Sequence, residues 1–298
     1  MLLVYIDDII ITGNNAALVQ DFISVLARCF SLKDLGPLEY FLGVEVVSCL
    51  QGLLLSQRRY ITDLLARTKM IDARTFTTPL ATSYVLTLHS CTTLTDPTEF
   101  RAIVGSLQYF SLTRPNIVYV VNKLPQYMHR LTTDHWIATK RLLRYLCGTI
   151  DYGIMLHRQS PLALHVYSDP DWAVNKDDFT STSTYIVYLD RNLISWSSKK
   201  QRTVARSSTK AEYRLFASTA AELRWITSLL GELGLTLSQQ PVIYCDNVDA
   251  INLCSNLVFH SRMKHVALDF HFIRQQVQAD ILRVTHVFST DQRADALT

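Results

Sequence analysis

The sequence predicts an α+β or mixed α/β fold, and three observations carry that reading. The second half runs strand, strand, strand, helix, strand, helix, helix, strand, helix, which is the order of a mixed five-stranded sheet with helices. The first half opens on two apolar strands around an acidic pair and continues into a series of helical segments. Between those parts, residues 75–98 are rich in Thr, Ser and Pro and read as linker or loop.

Taken in order, residues 2–12 read strand, acidic turn, strand, and Gly13-Asn14 breaks the run. A helix is expected over 16–30, with Leu18, Phe22, Val25, Leu26 and Cys29 on one face. Gly36-Pro37 ends that unit. Short strands are expected at 40–47 and 52–56, and a helix at 60–68. Helices at 100–112 and 116–128 follow, separated by Arg114-Pro115, and a third over 134–147 stops at Gly148. The domain boundary falls near Ser160-Pro161. Beyond it, 162–168 alternates as a strand. Strands at 185–189 and 193–197 flank Asp190-Arg191-Asn192, a hairpin signal, and a strand around 202–205 completes a meander. Thr209 to Glu212 spells a T-x-x-E capping box that opens a long helix ending at Leu233-Gly234. Strand 242–245, helices 248–254 and 267–278, strand 281–287 and a helical stub from Asp291 close the chain. The expected division is 1–75, 76–160 (mostly helical) and 161–298.

At 298 residues, 48% hydrophobic and 18% charged, the chain has room for two buried cores and is unlike a disordered one. The net charge of +3 says little, but its distribution says more. Residues 101–150 hold seven Lys or Arg against one acid, 7 − 1 = +6, and residues 191–215 repeat that balance, 7 − 1 = +6. Basic stretches interleaved with Tyr and Trp suit a phosphate backbone, or form a solvated face. The six cysteines show no CxxC spacing and no secretory signal precedes them. Reduced thiols in an intracellular compartment, cytoplasmic or nuclear, are expected, with no membrane partner. His260, His265 and His271 with Cys245 and Cys254 match no common zinc spacing.

Two sets of acids stand out. Asp7 and Asp8 sit side by side between apolar strands, where like charges repel unless they bind a metal or lie in a solvated turn. Asp169, Glu212, Asp246 and Asp295 fall on a strand end, a helix start, a second strand end and the last helix. Hard divalent ions prefer carboxylate oxygen, so four acids brought together could hold Mg²⁺ or Mn²⁺. Each alone has a plainer reading as a cap or surface acid, and Glu212 could instead partner Thr209 in the capping box. Asp171 lies close by, but Pro170 argues against a continued strand, which leaves Asp171 a solvated neighbour.

Tyr5-Ile6-Asp7-Asp8 followed by an isoleucine strand and Thr12-Gly13 resembles the palm hairpin of reverse transcriptases. The strings Leu32-Lys33-Asp34-Leu35-Gly36-Pro37-Leu38-Glu39-Tyr40-Phe41-Leu42-Gly43, Leu112-Thr113-Arg114-Pro115 and Arg144-Tyr145-Leu146-Cys147-Gly148-Thr149 resemble copia-type retrotransposon Pol proteins in particular. So do Ile194-Ser195-Trp196-Ser197-Ser198-Lys199-Lys200-Gln201 and the stretch from Ser207 to Arg214. The match runs over essentially the whole chain. It implies a truncated reverse-transcriptase palm with helical thumb and connection, followed by a ribonuclease H-like domain.

The resemblance implies hydrolysis of the RNA strand of an RNA–DNA hybrid, with two Mg²⁺ or Mn²⁺ ions held by Asp169, Glu212, Asp246 and Asp295. His286 is a possible auxiliary group in such enzymes, or a structural strand residue. Lys199, Lys200, Arg202 and Arg206 would track the nucleic-acid backbone. Only four residues precede the Tyr-x-Asp-Asp motif, so Asp7 and Asp8 are expected to form an incomplete site that does not polymerise DNA without a fuller Pol chain. The palm segment would also expose a sheet edge and promote aggregation. Val174, Thr184 and Asp190 stand where the family has glycine, Phe179 where it has Arg, and Lys210 where it has Glu. Lost glycines imply strain wherever φ must be positive. The alternative to an active ribonuclease H is an inactive relic that at most binds nucleic acid.

Overall fold

The computed structural model describes residues 1–6, 8–81, 85–88, 92–93, 96–255 and 267–297. Strands β1 (Leu2–Tyr5) and β2 (Asp8–Ile11) form a two-stranded antiparallel hairpin, Tyr5 opposite Asp8. Helix α1 (Ala16–Cys29) follows, capped by the Asn15 side chain, which accepts from the Ala17 and Leu18 amides. No residue of α1 is buried. Strands β3 (Tyr40–Phe41), β4 (Val44–Cys49) and β5 (Gly52–Ser56) make a meander, and helix α2 (Arg58–Arg67) leaves it.

Helices α3 (Thr98–Gln108), α4 (Val118–Lys123) and α5 (Thr133–Cys147) come next, with 3₁₀ turns between them. They pack with α2 around Ile61, Leu64, Phe100, Leu107, Tyr127 and Leu142 in one apolar cluster. That core runs across residue 75, so the segments expected to divide there share it. Arg114 is buried in the same layer and donates to the Thr149 carbonyl and hydroxyl. Part of the first basic stretch is therefore structural.

Strand β6 (Gly153–His157), absent from the sequence reading, pairs antiparallel with β5 and completes a four-stranded sheet in the order β3-β4-β5-β6. Its partner lies about a hundred residues earlier in the chain, so no local signal marks it. Gly52 and Gly153 are required there, because an added Cβ would strike the facing backbone carbonyls of Leu156 and Leu55.

The second half forms a five-stranded sheet in the order β11-β10-β7-β8-β9. Strands β7 (Leu164–Asp171), β8 (Thr182–Leu189) and β9 (Asn192–Lys200) are an antiparallel meander. Helix α6 (Ser208–Glu232) crosses to β10 (Val242–Cys245), which lies parallel to β7, and helices α7 (Val248–Ser255) and α8 (Ala267–Gln278) lead to β11 (Arg283–His286), parallel to β10. Leu164, Val166, Phe216, Ile243 and Phe270 form its own core. The architecture is the mixed, ribonuclease H-like sheet that the sequence predicts.

Three local expectations are corrected. No strand forms at 202–205; β9 instead runs on to Lys200, and the following residues are irregular. The cap of α6 is Ser207, whose side chain accepts from the Lys210 amide, so the box expected from Thr209 to Glu212 is not made. The stub after Asp291 is a 3₁₀ turn over Arg293–Leu297. Among the described residues, no helix is long and apolar enough to cross a membrane.

Candidate metal centre

Asp169 lies near the end of β7, opposite Thr184 of β8, whose hydroxyl donates to the Asp169 carbonyl. Strand β7 continues through Pro170 to Asp171, paired with Ser183 and Thr182. Proline is tolerated because the pairing with β10 on the other side stops at Tyr167, which leaves Pro170 at a local edge. Asp171 is thus half-buried rather than a solvated neighbour. Burial raises its carboxyl above the usual range, against the pull of the Lys123 ammonium.

Glu212 projects from the second turn of α6, on the buried face that carries Phe216, Thr219 and Leu223. The residue is only 4% exposed and its Oε2 has no hydrogen-bond partner. Asp246 follows the last residue of β10, and its Oδ2 accepts from the Ser289 hydroxyl at 2.8 Å. Asp295 rides on the closing 3₁₀ turn. Two bonds tie that turn to the sheet: Gln292 Nε2 to the Ser168 carbonyl at 3.0 Å, and Ser198 Oγ to the Leu297 carbonyl at 2.9 Å.

Each of Asp169, Glu212 and Asp295 feels the charge of Asp246, and Asp169 links the other two. Burial first, then Asp295, Asp246 and Asp171, push the Asp169 carboxyl up to about 7. Burial, then Asp169 and Asp246, push Glu212 up to about 9, against a hydrogen bond with Cys245. Burial and Asp246 also raise Asp295. Carboxylates held together with one buried oxygen unsatisfied are costly unless a cation compensates them. The donor set is oxygen-rich, as Mg²⁺ or Mn²⁺ requires, so these residues fit the ions that the resemblance implies.

Cys245 was missed as part of this group, although it directly precedes Asp246. One ligand atom each from Glu212, Cys245 and Asp246 lies within 4.8 Å of the others. The alternative zinc set is not formed among the described residues, and His260 and His265 lie outside them. Cys254 is buried, with its thiol on the Ala250 carbonyl.

The other predicted residues are dispersed. His286 ends β11 in register with Cys245, exposed, its ring edge-on to Phe288. Lys199, Arg202 and Arg206 are exposed beside the meander, while Lys200 is held by Asp178 at 2.5 Å. Asp7 lies outside the described residues. Asp8 sits on the separate, exposed β1–β2 sheet and is not among the charges acting on the four acids.

Comparison with known proteins decides the family. The chain is 61% identical over 297 residues to the retrovirus-related Pol polyprotein from transposon RE2 of Arabidopsis thaliana, matching all of this chain and 20% of that one. It is 31% identical over 223 residues to the putative transposon Ty5-1 protein of Saccharomyces cerevisiae, covering 74% of this chain and 72% of that protein. The chain belongs to the copia-type retrotransposon Pol family. Residues 1–82 also match the family model described as reverse transcriptase (RNA-dependent DNA polymerase). The chain spans about one fifth of the length of the Pol polyproteins it matches. Among solved structures, LC11-RNase H1, isolated from compost by a metagenomic approach and crystallised with an RNA/DNA hybrid, aligns with 45% of this Pol chain and 92% of its own. Identity there is 14% and the TM-score 0.35. The fold assignment stands on the strand order given above, not on that likeness.

Proposed function

We propose that this Pol segment carries a divalent-metal-dependent ribonuclease H that cuts the RNA strand of RNA–DNA hybrids, with Asp169, Glu212, Asp246 and Asp295 as ligands of two Mg²⁺ or Mn²⁺ ions. The observation that carries the reading is Glu212: a buried carboxylate with an unpartnered oxygen, within reach of the charges of Asp169 and Asp246. Family membership supplies the substrate class. When bound, the ions supply a water ionised near neutral pH and neutralise charge at the scissile phosphate. Glu212 and Asp169 must shed their protons to bind them, so loading is favoured as pH rises. The Ser289 hydroxyl, donating to Asp246 Oδ2, orients that carboxylate. His286, next to the end of β10 and open to solvent, is the proton-handling group of this proposal.

Lys199, Arg202 and Arg206 contact the hybrid backbone, and ribose 2′-hydroxyls select RNA. Lys200, engaged by Asp178, contributes less. Residues 161–298 are the hydrolytic unit. The acid pair Asp7 and Asp8 belongs to a polymerase palm completed by a fuller Pol chain.

The test is cleavage of a labelled RNA–DNA hybrid by the full chain in Mg²⁺ or Mn²⁺, beside Asp246→Asn. Cutting by the parent and not by the variant supports the reading. No cutting by the folded parent makes the four acids an inherited arrangement without activity.

A further inference from the structure

We propose that Glu212, Cys245 and Asp246 form a mixed oxygen–sulfur site for a thiophilic divalent ion of the zinc or cadmium class, which competes there with oxygen-preferring ions. The inference shares two residues with the proposed ribonuclease H centre but holds whether or not that centre cleaves RNA.

Three observations carry it. The ligand atoms of the three residues lie within 4.8 Å of one another. A tetrahedral ion with bonds of about 2.0 Å to oxygen and about 2.3 Å to sulfur holds these ligands roughly 3.3–3.5 Å apart. Closing the site therefore needs a movement of about an ångström, within rotamer adjustment. Next, Glu212 Oε2 is buried and has no hydrogen-bond partner, so a ligand oxygen is already stripped of water. Finally, the Cys245 sulfur is fixed by the chain itself: the Asn247 amide donates to it at 3.1 Å. Neighbouring side chains on a strand point to opposite faces. Because β10 ends at Cys245, the chain turns there, and both Cys245 and Asp246 come within reach of Glu212.

The donor set decides the ion. Mg²⁺ takes near-octahedral oxygen and leaves the thiol unused. Zinc and cadmium accept sulfur together with carboxylate oxygen and gain from the thiolate. Binding replaces three metal–water bonds with one metal–sulfur and two metal–oxygen bonds and releases the Cys245 and Glu212 protons to solvent. An ion held this way occupies Glu212 and Asp246 and excludes the hard ion from both.

The experiment is titration of the full chain with cadmium, followed by the ultraviolet sulfur-to-cadmium charge-transfer absorption, with Cys245→Ser and Glu212→Gln in parallel and circular dichroism to confirm folding. Other thiols, such as exposed Cys29, give a background common to all three proteins. The expected result is a component that saturates in the parent, is missing in Cys245→Ser, weakens at least about tenfold in Glu212→Gln, and is displaced by excess Mg²⁺. An unchanged absorption in folded Cys245→Ser overturns the proposal. Should that variant not fold, the Glu212→Gln titration decides, and unchanged affinity there is equally fatal. Mg²⁺-dependent cleavage without the cadmium component rejects the mixed site and leaves the hydrolase reading standing; the component without cleavage does the reverse.

Discussion

In the β1–β2 hairpin and helix α1, Leu2, Val4, Leu18 and Phe22 are between 42% and 65% exposed, whereas in the β7–β11 sheet Val166, Val187, Phe216 and Ile243 are fully buried. Both regions combine apolar strands, a helix with an apolar stripe, and carboxylates at strand ends. In the second, further elements close on the sheet: α8 adds Phe270 and Ile273 to its core, and the segment that leads into the 3₁₀ turn 293–297, with Asp295, is bonded to β7 through Gln292. The difference teaches that the apolar pattern proposes a burial surface, while tertiary partners decide whether acids become a charged cluster or stay in water. Asp169 and Glu212 have raised pKa values because they are enclosed.

The largest effect expected from this contrast is on activity. Asp246→Asn should lower hybrid cleavage on the order of a thousandfold, and Asp8→Asn should leave it unchanged. Initial rates at saturating Mg²⁺ measure both. A comparable loss from Asp8→Asn would merge the two regions into one site and break the comparison.

Packing gives the next largest contrast. Phe216→Ala empties a fully buried position and should cost about 3–5 kcal/mol. Phe22→Ala removes a ring already half in water and should stay within about 1 kcal/mol. Denaturant midpoints, read at a constant m-value, compare them. A large cost at Phe22 would mean that the α1 stripe is covered in solution, for instance by self-association, which light scattering would detect.

Acid burial sharpens the comparison through pH. Glu212 is ordinarily near 4.5 and is held near 9 in the metal-free fold. A folded pKa above the unfolded one means the protonated form favours the fold. Its contribution is therefore complete below about 4.5 and lost as pH rises towards 9. At pH 7 the penalty relative to a neutral group is on the order of 3 kcal/mol. Metal-free Glu212→Gln should thus melt above the parent at pH 7, with the gap shrinking towards pH 4. Saturating Mg²⁺ should stabilise the parent more than the variant. A gap independent of pH would show that Glu212 is not the titrating group.

The sequence made most of the sheet legible because the signals were local. Alternation marked β7, Asp190-Arg191-Asn192 marked the β8–β9 hairpin, and Gly234 marked the end of α6. The four acids were legible as a candidate set, since each sits near an element end where side chains can converge. Strand β6 was not legible, because its ladder is made with residues 52–56. Nor was Glu212's freedom from the capping box: Thr209 offered an equal local partner, and only the true cap at Ser207 frees the carboxylate. Cys245 was weighed only with distant histidines and Cys254, because a buried strand cysteine ordinarily means packing and its approach to Glu212 depends on a turn made after it.

The smallest expected effect concerns residues with a Cβ held in left-handed backbone, of which Asp190 alone stands at a glycine expected from the family. Asp190, at a family glycine, has φ +52°, as the β8–β9 turn demands. Val174 does not carry the expected strain; it falls on Ala173 at φ +58°, and Phe179 adds φ +54° in the same loop. Left-handed backbone costs a residue with a Cβ roughly 1–2 kcal/mol, more for an aromatic than for Asp, which tolerates it. Glycine pays back part of that gain as extra freedom in the unfolded chain. Phe179→Gly should therefore stabilise by about 1 kcal/mol and Asp190→Gly by less, each read from thermal midpoints. Phe179 is exposed, so little packing is forfeited. Both changes lie in the carboxylate sheet, and a stability gain with unchanged cleavage would show that this strain is drift, carried by a region with enough buried core to tolerate it. A loss of cleavage on relief of the strain would instead tie the 173–179 loop to placement of Asp169 and Asp171 on the strand that precedes it.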